Sequence, residues 1–145
     1  MSEYIKIRKW PADHAQEAYD AGYYVEALQT LHGWMEVKLR ELLHLQRAGP
    51  NVSGKDKDWV RSWNMSNDLS LTNIAKALFI VGALPEDTLN RILNFNRVRN
   101  NLIHKLYFDP YDEPYPGIPK EEYDTAFRDG IDLGYIIENM SAERV

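Results

Sequence analysis

The longest regular pattern of apolar residues in the chain lies between Tyr23 and Ala48. Gly49 and Pro50 follow directly, and neither residue favours continuation of a helix. The pattern therefore predicts a helix from Tyr23 to Ala48. The apolar residues that recur with the spacing of one helical face are Tyr24, Leu28, Leu31, Met35, Leu39 and Leu42.

Helix-start and helix-stop signals divide the rest of the chain. Proline in the first turn followed by acidic residues favours a helix start, and this combination occurs at Pro11 and again at Pro85. A serine or aspartate before an apolar run favours an N-cap, as at Asp68 or Ser70. The predicted helices are, in chain order, Ala12–Ala21, Tyr23–Ala48, Asp68 or Ser70 to Gly82, Pro85 to about Phe108, and Lys120–Ser141.

The segments between these helices have the composition of loops. Residues 51–58 are polar and residues 109–119 contain four prolines, whereas residues 59–63 fit either a turn or the beginning of another helix. Strand-like alternation is confined to Tyr4–Ile7. Four long helices and a short N-terminal helix predict an all-α fold, an up-and-down helical bundle. At 145 residues, we expect one domain over residues 1–145.

The composition excludes some classes of site. The chain has no cysteine, so disulfides, thiol nucleophiles and thiolate metal sites are excluded. His14 and His44 lack the spacing of metal ligands, and we expect no metal or other cofactor. Residues 1–10 do not resemble a signal peptide and no stretch is as apolar as a membrane span, which predicts a cytoplasmic protein without a membrane partner. A net charge of −5 argues against broad, non-specific binding to nucleic acid.

A group of polar residues stands out on the helix predicted after Pro85. Although the chain is acidic, no aspartate or glutamate occurs between Thr88 and Phe108. Cationic and hydrogen-bonding side chains without acidic neighbours favour a site for an anion, and a histidine among them can exchange protons near neutral pH. The candidate residues of this group are Arg97, Arg99, Asn100, Asn101, His104 and Tyr107.

Helical geometry separates the members of this group. Arg99 lies about 140° from His104 around an ideal helix, nearer the apolar edge. Asn100 and His104 are four residues apart, so their side chains can line one surface. The apolar stripe expected to face the core contains Phe95, Val98, Leu102 and Leu106. The residues expected on the opposite side are Arg97, Asn100, Asn101, His104 and Tyr107.

The segment from Arg99 to His104 resembles the sequence motif of the HEPN superfamily (higher eukaryotes and prokaryotes nucleotide-binding domains). That motif is an arginine, usually followed by a polar residue, and a histidine after four to six intervening positions. Arg99, with Asn100 as the polar residue, meets it with four intervening residues, and Arg97 meets it with six. An all-helical chain of this length, with the motif on a late helix, agrees with the resemblance.

The resemblance implies a metal-independent endoribonuclease whose active site forms where two motif helices meet in a homodimer. His104 would be the general acid/base, Arg99 would bind or neutralise the scissile phosphate, and Asn100 would position that phosphate or orient His104. Arg97, Asn101 and Tyr107 are the candidate substrate-binding residues. Attack of a 2′-hydroxyl on phosphorus needs proton transfer and charge stabilisation, which histidine and arginine supply.

A toxin branch of the superfamily, which is paired with an antitoxin, carries a tyrosine two residues after the histidine. Here Lys105 and Leu106 stand between His104 and Tyr107, so the tyrosine is three residues away. The resemblance thus leaves an RNA or nucleotide ligand, a defence or toxin role and an antitoxin partner as expectations. The tyrosine spacing argues against modification of Tyr107 by such a partner.

Two other interpretations of the sequence stay open. The chain can be a HEPN-type binding module that holds nucleotide or RNA, or serves as a partner subunit, without cleaving RNA. It can also be a helical dimerisation protein in which the polar group only builds an interface. His32 and Glu36, four residues apart on the helix over residues 23–48, fit either supporting groups that face the motif helix or a simple helical pair.

Overall fold

The computed structural model of the protein describes residues 2–48, 57–106 and 117–143, and helices are the only regular structure in them. The all-α class predicted from the sequence is confirmed, and Tyr4–Ile7 belong to neither helix nor strand. Within these residues, no helix combines the length and apolarity that crossing a bilayer requires. The helices are α1 (Pro11–Asp20), α2 (Tyr24–Ala48), α3 (Lys57–Ser66), α4 (Leu71–Ile80), α5 (Glu86–Leu106) and α6 (Lys120–Glu143).

The helix lengths differ from the predicted four long helices and one short helix. α2, α5 and α6 have 25, 21 and 24 residues, whereas α1, α3 and α4 have 10 residues each. α4 begins at Leu71 because Ser70 caps its start: the Ser70 hydroxyl accepts a hydrogen bond from the backbone N–H of Asn73 at 3.3 Å. Residues 59–63 lie within α3, which also includes residues 57 and 58 of the predicted loop.

Two glycines end helices α1 and α4 by the same hydrogen-bonded turn. Gly22 and Gly82 have φ angles of 87° and 77°, in the left-handed region that glycine adopts without steric cost. The residue after each glycine donates its N–H to the carbonyl five positions earlier, at 2.8 Å from Tyr23 and 2.9 Å from Ala83. The chain reverses at both points, which lets α2 and α5 pack beside the helices that precede them.

α2 is the central helix and contacts every other described helix. Its predicted apolar stripe forms the core, because five of its six side chains are fully buried (0% exposed) and Tyr24 is partly buried. α5 packs mainly between α4 and α6 and approaches α2 less closely. The α5 stripe is also buried at Phe95 and Leu102 and half-buried at Val98, while the Leu106 side chain lies outside the described residues.

Trp34 sets the distance between α2 and α6. Its indole lies over Gly134, where any Cβ atom would overlap the ring. The indole N–H donates to Glu138 Oε2 at 3.1 Å, which satisfies the only polar atom of this buried side chain. Tyr135 and Trp10 meet the ring edge-on, with centroid separations of 5.3 and 5.6 Å. Close packing at this point fixes α6 against the middle of α2.

Arg40 joins α2 to the end of α3. The side chain is almost fully buried, and its Nε–H and one Nη2–H donate to the carbonyl oxygens of Ser66 and Leu69 at 2.9 and 3.2 Å. The same Nη2 donates to Glu36 Oε1 at 2.5 Å. Carbonyl groups at a helix end need donors, and a buried guanidinium needs a carboxylate. These contacts therefore give the carbonyl groups a donor and the guanidinium a carboxylate. Glu36 is thus the ion-pair partner of Arg40.

We expect Gly134→Ala to destabilise the protein by about 1–3 kcal/mol, because the added methyl group overlaps the Trp34 ring in a packed core. The free energy of unfolding is measured by urea denaturation followed by circular dichroism. Gly33→Ala is the matched control on α2, where a Cβ atom meets open space, and it should stabilise by roughly 0.5–1 kcal/mol. Native stability in the Gly134→Ala protein would contradict the packing.

Candidate functional site

The Arg99 side chain reaches from α5 to α2. One terminal nitrogen donates to Gln29 Oε1 on α2, and the other donates to Asn100 Oδ1 at 2.8 Å. Both acceptors are neutral amides, and among the described residues no carboxylate forms an ion pair with Arg99. The guanidinium is therefore oriented without being neutralised.

Arg99 is half-buried, and its Nε atom is fully buried without a hydrogen-bond partner in the described part of the chain. Desolvation lowers the pKa of Arg99 below its ordinary value, while the charge of Glu36 acts in the opposite direction. An arginine nevertheless stays protonated at neutral pH. A half-buried cation that no described carboxylate pairs gains charge compensation from an anionic ligand.

His32 and Glu36 face α5 from successive turns of α2. His32 Nδ1 lies 3.8 Å from Glu36 Oε2, which is too long for a hydrogen bond but short enough for an ion pair if the ring is protonated. Burial lowers the pKa of His32 below 6.5 and the Arg99 cation lowers it further, while Glu36 and the Asn96 amide raise it. Burial and the nearby cation thus favour the neutral form of the imidazole. The two residues form a helical pair that also faces the motif helix.

Six residues bring α2 and α5 together through polar contacts. Because α5 approaches α2 less closely than it approaches α4 and α6, long side chains fill the space between them. Their charges and hydrogen-bonding groups make this contact polar, and it includes the motif residues Arg99 and Asn100. We call the following residues the α2–α5 cluster: Gln29, His32, Glu36, Asn96, Arg99 and Asn100.

His104 lies apart from this cluster. Its side chain is exposed, and no hydrogen bond or ion pair joins it to another residue in the described ranges. Asn101 is exposed as well and lines, with Lys105, a groove of about 570 Å³ between α5 and α6. One chain therefore does not bring the arginine and the histidine of the motif into contact.

The other predicted site residues are distributed over both sides of α5. Asn100 is half-buried and turns its amide oxygen to Arg99 rather than toward His104. Arg97 is exposed, and its Nη2 donates to Asn94 Oδ1 at 2.6 Å. Tyr107 lies outside the described residues. The structure thus groups Arg99 with Asn100 and leaves Arg97, Asn101 and His104 facing solvent.

Gln29, Asn96 and Arg40 were not singled out by sequence analysis. A spacing signal existed for each of them, because residues three or four apart share a helical face. Gln29 precedes His32 by three residues, Arg40 follows Glu36 by four, and Asn96 precedes Arg99 by three. What the spacing does not indicate is which arginine Glu36 binds, since that depends on how α3 ends against α2.

His44, the most deeply buried histidine of the described residues, has a structural position at the contact of α2 with α3. Its ring nitrogens lie 3.1 Å from Ser62 Oγ and 3.2 Å from Ser66 Oγ, and its ring packs against Trp63. In the described ranges, no three His, Asp or Glu side chains converge as metal ligands. The groups that the α2–α5 cluster offers are a guanidinium, an imidazole, a carboxylate and three amides.

No family model matches this chain, and neither a curated protein nor a solved structure is similar to it at a significant level. The candidate site is therefore interpreted from its own geometry and chemistry.

We expect the stability of the protein to fall below about pH 6.5 because of His32. The folded-state pKa is lowered, so the unfolded chain binds the proton more readily. The neutral ring makes its full contribution to the free energy of unfolding above the pKa that His32 has in the unfolded chain. This contribution is lost as the pH falls toward the lower pKa of His32 in the folded protein. Urea unfolding between pH 7.5 and 5 should show a shallower pH dependence in His32→Gln than in the native protein.

Arg99→Gln provides a graded comparison for this measurement. It removes the cation beside His32 but leaves the ring buried, so the pH dependence should be intermediate between those of the native protein and His32→Gln. Parallel curves for all three proteins would show that His32 does not couple folding to pH.

Proposed function

We propose that this protein is a metal-independent endoribonuclease of the HEPN type, a homodimer in which Arg99 and His104 act on one RNA phosphate. The observation that carries the proposal is the Arg99 guanidinium, which two amide oxygens orient while no described carboxylate neutralises it. A phosphodiester supplies the missing negative charge. An up-and-down order of the helices, a cytoplasmic location and a defence or toxin role, with or without an antitoxin, belong to the same proposal.

In the proposed reaction, the 2′-hydroxyl of a nucleotide attacks the adjacent phosphorus. The P–O2′ bond forms as the P–O5′ bond breaks, which leaves a 2′,3′-cyclic phosphate and a 5′-hydroxyl. Arg99 stabilises the charge on the phosphoryl oxygens, and His104 moves a proton from O2′ or to O5′. Asn100 holds Arg99 in place, while Arg97 and Asn101 are exposed and available to flanking nucleotides.

A dimer is part of the proposal because Arg99 and His104 do not meet within one chain. Arg99 extends to α2, whereas His104 is exposed on α5. A two-fold axis beside α5 places the exposed histidine of one copy next to the arginine of the other, and it generates two equivalent sites. Light scattering that finds only monomer at micromolar concentration contradicts such a shared site.

We expect Arg99→Gln and His104→Ala each to slow RNA cleavage by roughly 100-fold or more, because each removes charge stabilisation or proton transfer from the transition state. The measurement incubates a mixed-sequence RNA with purified protein in EDTA and follows product formation by electrophoresis. Circular dichroism establishes that each variant is folded.

Two variants on the same helix serve as controls. Arg91→Gln removes a half-exposed arginine that pairs with Asp132 on α6 at 2.7 Å, and this variant should cleave RNA like the native protein. Arg97→Gln should lose about tenfold at most, as expected for one exposed phosphate contact. If RNA stays intact with the native protein, the proposed ribonuclease activity is contradicted. If Arg97→Gln slows cleavage more than Arg99→Gln does, Arg97 is the arginine of the motif.

Mixing the two inactive proteins tests whether the site is shared between copies. A heterodimer of Arg99→Gln with His104→Ala contains one site that has both an intact arginine and an intact histidine. We expect unfolding and refolding of an equal mixture to restore about a quarter of native activity, since half of the dimers are heterodimers with one competent site of two. Activity that stays at the level of the separate variants shows that the two residues act within one chain.

A non-catalytic RNA-binding module is the second candidate function. The observation that favours it is the exposed His104, which has no hydrogen-bond partner in the described residues to orient its ring. Salt-sensitive binding of RNA without cleavage, lost in Arg99→Gln, is the result expected for such a module.

A further inference from the structure

The α2–α5 cluster contains a second group that can carry a positive charge beside Arg99. Gln29, which accepts a hydrogen bond from Arg99, lies three residues before His32, so the two side chains occupy one face of α2. On α5, Asn96 lies three residues before Arg99 and meets the His32 ring. The imidazole and the guanidinium are thus neighbours across the same helix contact.

Among the described residues, the fixed charges that act on His32 are two cations and one carboxylate. The cations are Arg99 and Arg40, and the carboxylate is Glu36, which is bound to Arg40 at 2.5 Å. Gln29 and Asn96 are neutral, so the surroundings of the ring carry a net positive charge even while the ring is neutral. With 19% of its side chain exposed, His32 stays accessible to a small anionic group from solvent.

We propose that His32 is a second phosphate-binding residue of the Arg99 site, holding the phosphate from α2 as an imidazolium while Arg99 holds it from α5. The inference rests on the proposed function only for the identity of the anion as an RNA phosphate.

Phosphate binding and proton uptake are coupled in this arrangement. The bound anion offsets the repulsion between Arg99 and a protonated His32, and the protonated ring adds a charged donor to the phosphate. Glu36 Oε2, 3.8 Å from Nδ1, partly offsets the charge of the protonated ring. Reciprocity then requires that the anion raise the pKa of His32 by the same free energy with which protonation tightens anion binding.

The test follows the His32 ring by NMR in the native protein. Its Cε1–H resonance is titrated between about pH 5 and 8, with and without a 2′-O-methyl dinucleotide that carries one phosphodiester and has no attacking hydroxyl. We expect the titration midpoint of His32 to rise when the dinucleotide is bound. The affinity of the protein for the dinucleotide should be on the order of fivefold higher at the acidic end of the pH range. The resonance of His14, on α1, is the internal reference.

Two variants separate this role from a structural one. In Arg99→Gln, the midpoint of His32 should rise without the dinucleotide and change little when it is added. In His32→Gln, the dinucleotide should still bind, but with an affinity that no longer rises at acidic pH. Inorganic sulfate replaces the dinucleotide in a parallel titration and shows whether a free oxyanion is sufficient.

The outcomes distinguish this inference from the ribonuclease proposal. Cleavage of RNA by the native protein, together with a His32 midpoint that the dinucleotide does not move, overturns the role of His32 alone. A coupled shift in a protein that cleaves no RNA supports the two-residue anion site and contradicts the enzyme. Failure of both probes to bind at any pH overturns the role of His32 as well.

Discussion

The buried ion pair between Arg40 and Glu36 is the interaction on which the candidate site depends. Arg40 also donates to the carbonyl oxygens of Ser66, at the end of α3, and of Leu69 beyond it, so three hydrogen bonds hold its guanidinium beside Glu36. With 10% of the Arg40 side chain and 23% of the Glu36 side chain exposed, the pair is largely shielded from solvent, so losing one partner leaves a poorly compensated charge. Glu36 therefore remains with Arg40, and Arg99 is left with amide oxygens. The positive charge that makes the α2–α5 cluster suitable for an anion is a consequence of how α3 ends.

The packing of the helices also determines where this charge is accessible. α6 is held tightly against α2, because Trp34 lies directly over Gly134 and its N–H is satisfied by Glu138. α5 is held by α4 and α6, and it is not drawn against α2 to the same extent. Arg99 and Gln29 bridge α5 and α2 through a side-chain hydrogen bond. Since α5 packs less closely on α2 than on α4 and α6, Arg99 at this contact is only half-buried. A cation that binds a ligand must be accessible in this way.

Much of this arrangement could be predicted from the sequence, for identifiable reasons. α2 and α5 were predicted within a few residues because long apolar stripes and strong start or stop signals bound them. Residues 59–63 fitted either a turn or a helix start because α3 has only ten residues, about three turns, and follows a polar segment. Helical geometry correctly placed Arg99 at the apolar edge of α5, away from His104. It could not show that α2 covers this edge, so neither the bond to Gln29 nor the turn of Asn100 toward Arg99 could be predicted.

The separation of Arg99 from His104 follows from their spacing rather than from a detail of packing. With four intervening residues, two side chains of one α-helix diverge by about 140°, so they cannot both reach one phosphate from a single straight helix. Any site that uses both residues needs a second surface. In the proposed dimer, α5 of the other copy is that surface for His104, and α2 of the same chain brings His32 to Arg99. His104 then supplies proton transfer from one copy, while Arg99 and His32 of the other copy hold the phosphate, so the two roles belong to different chains.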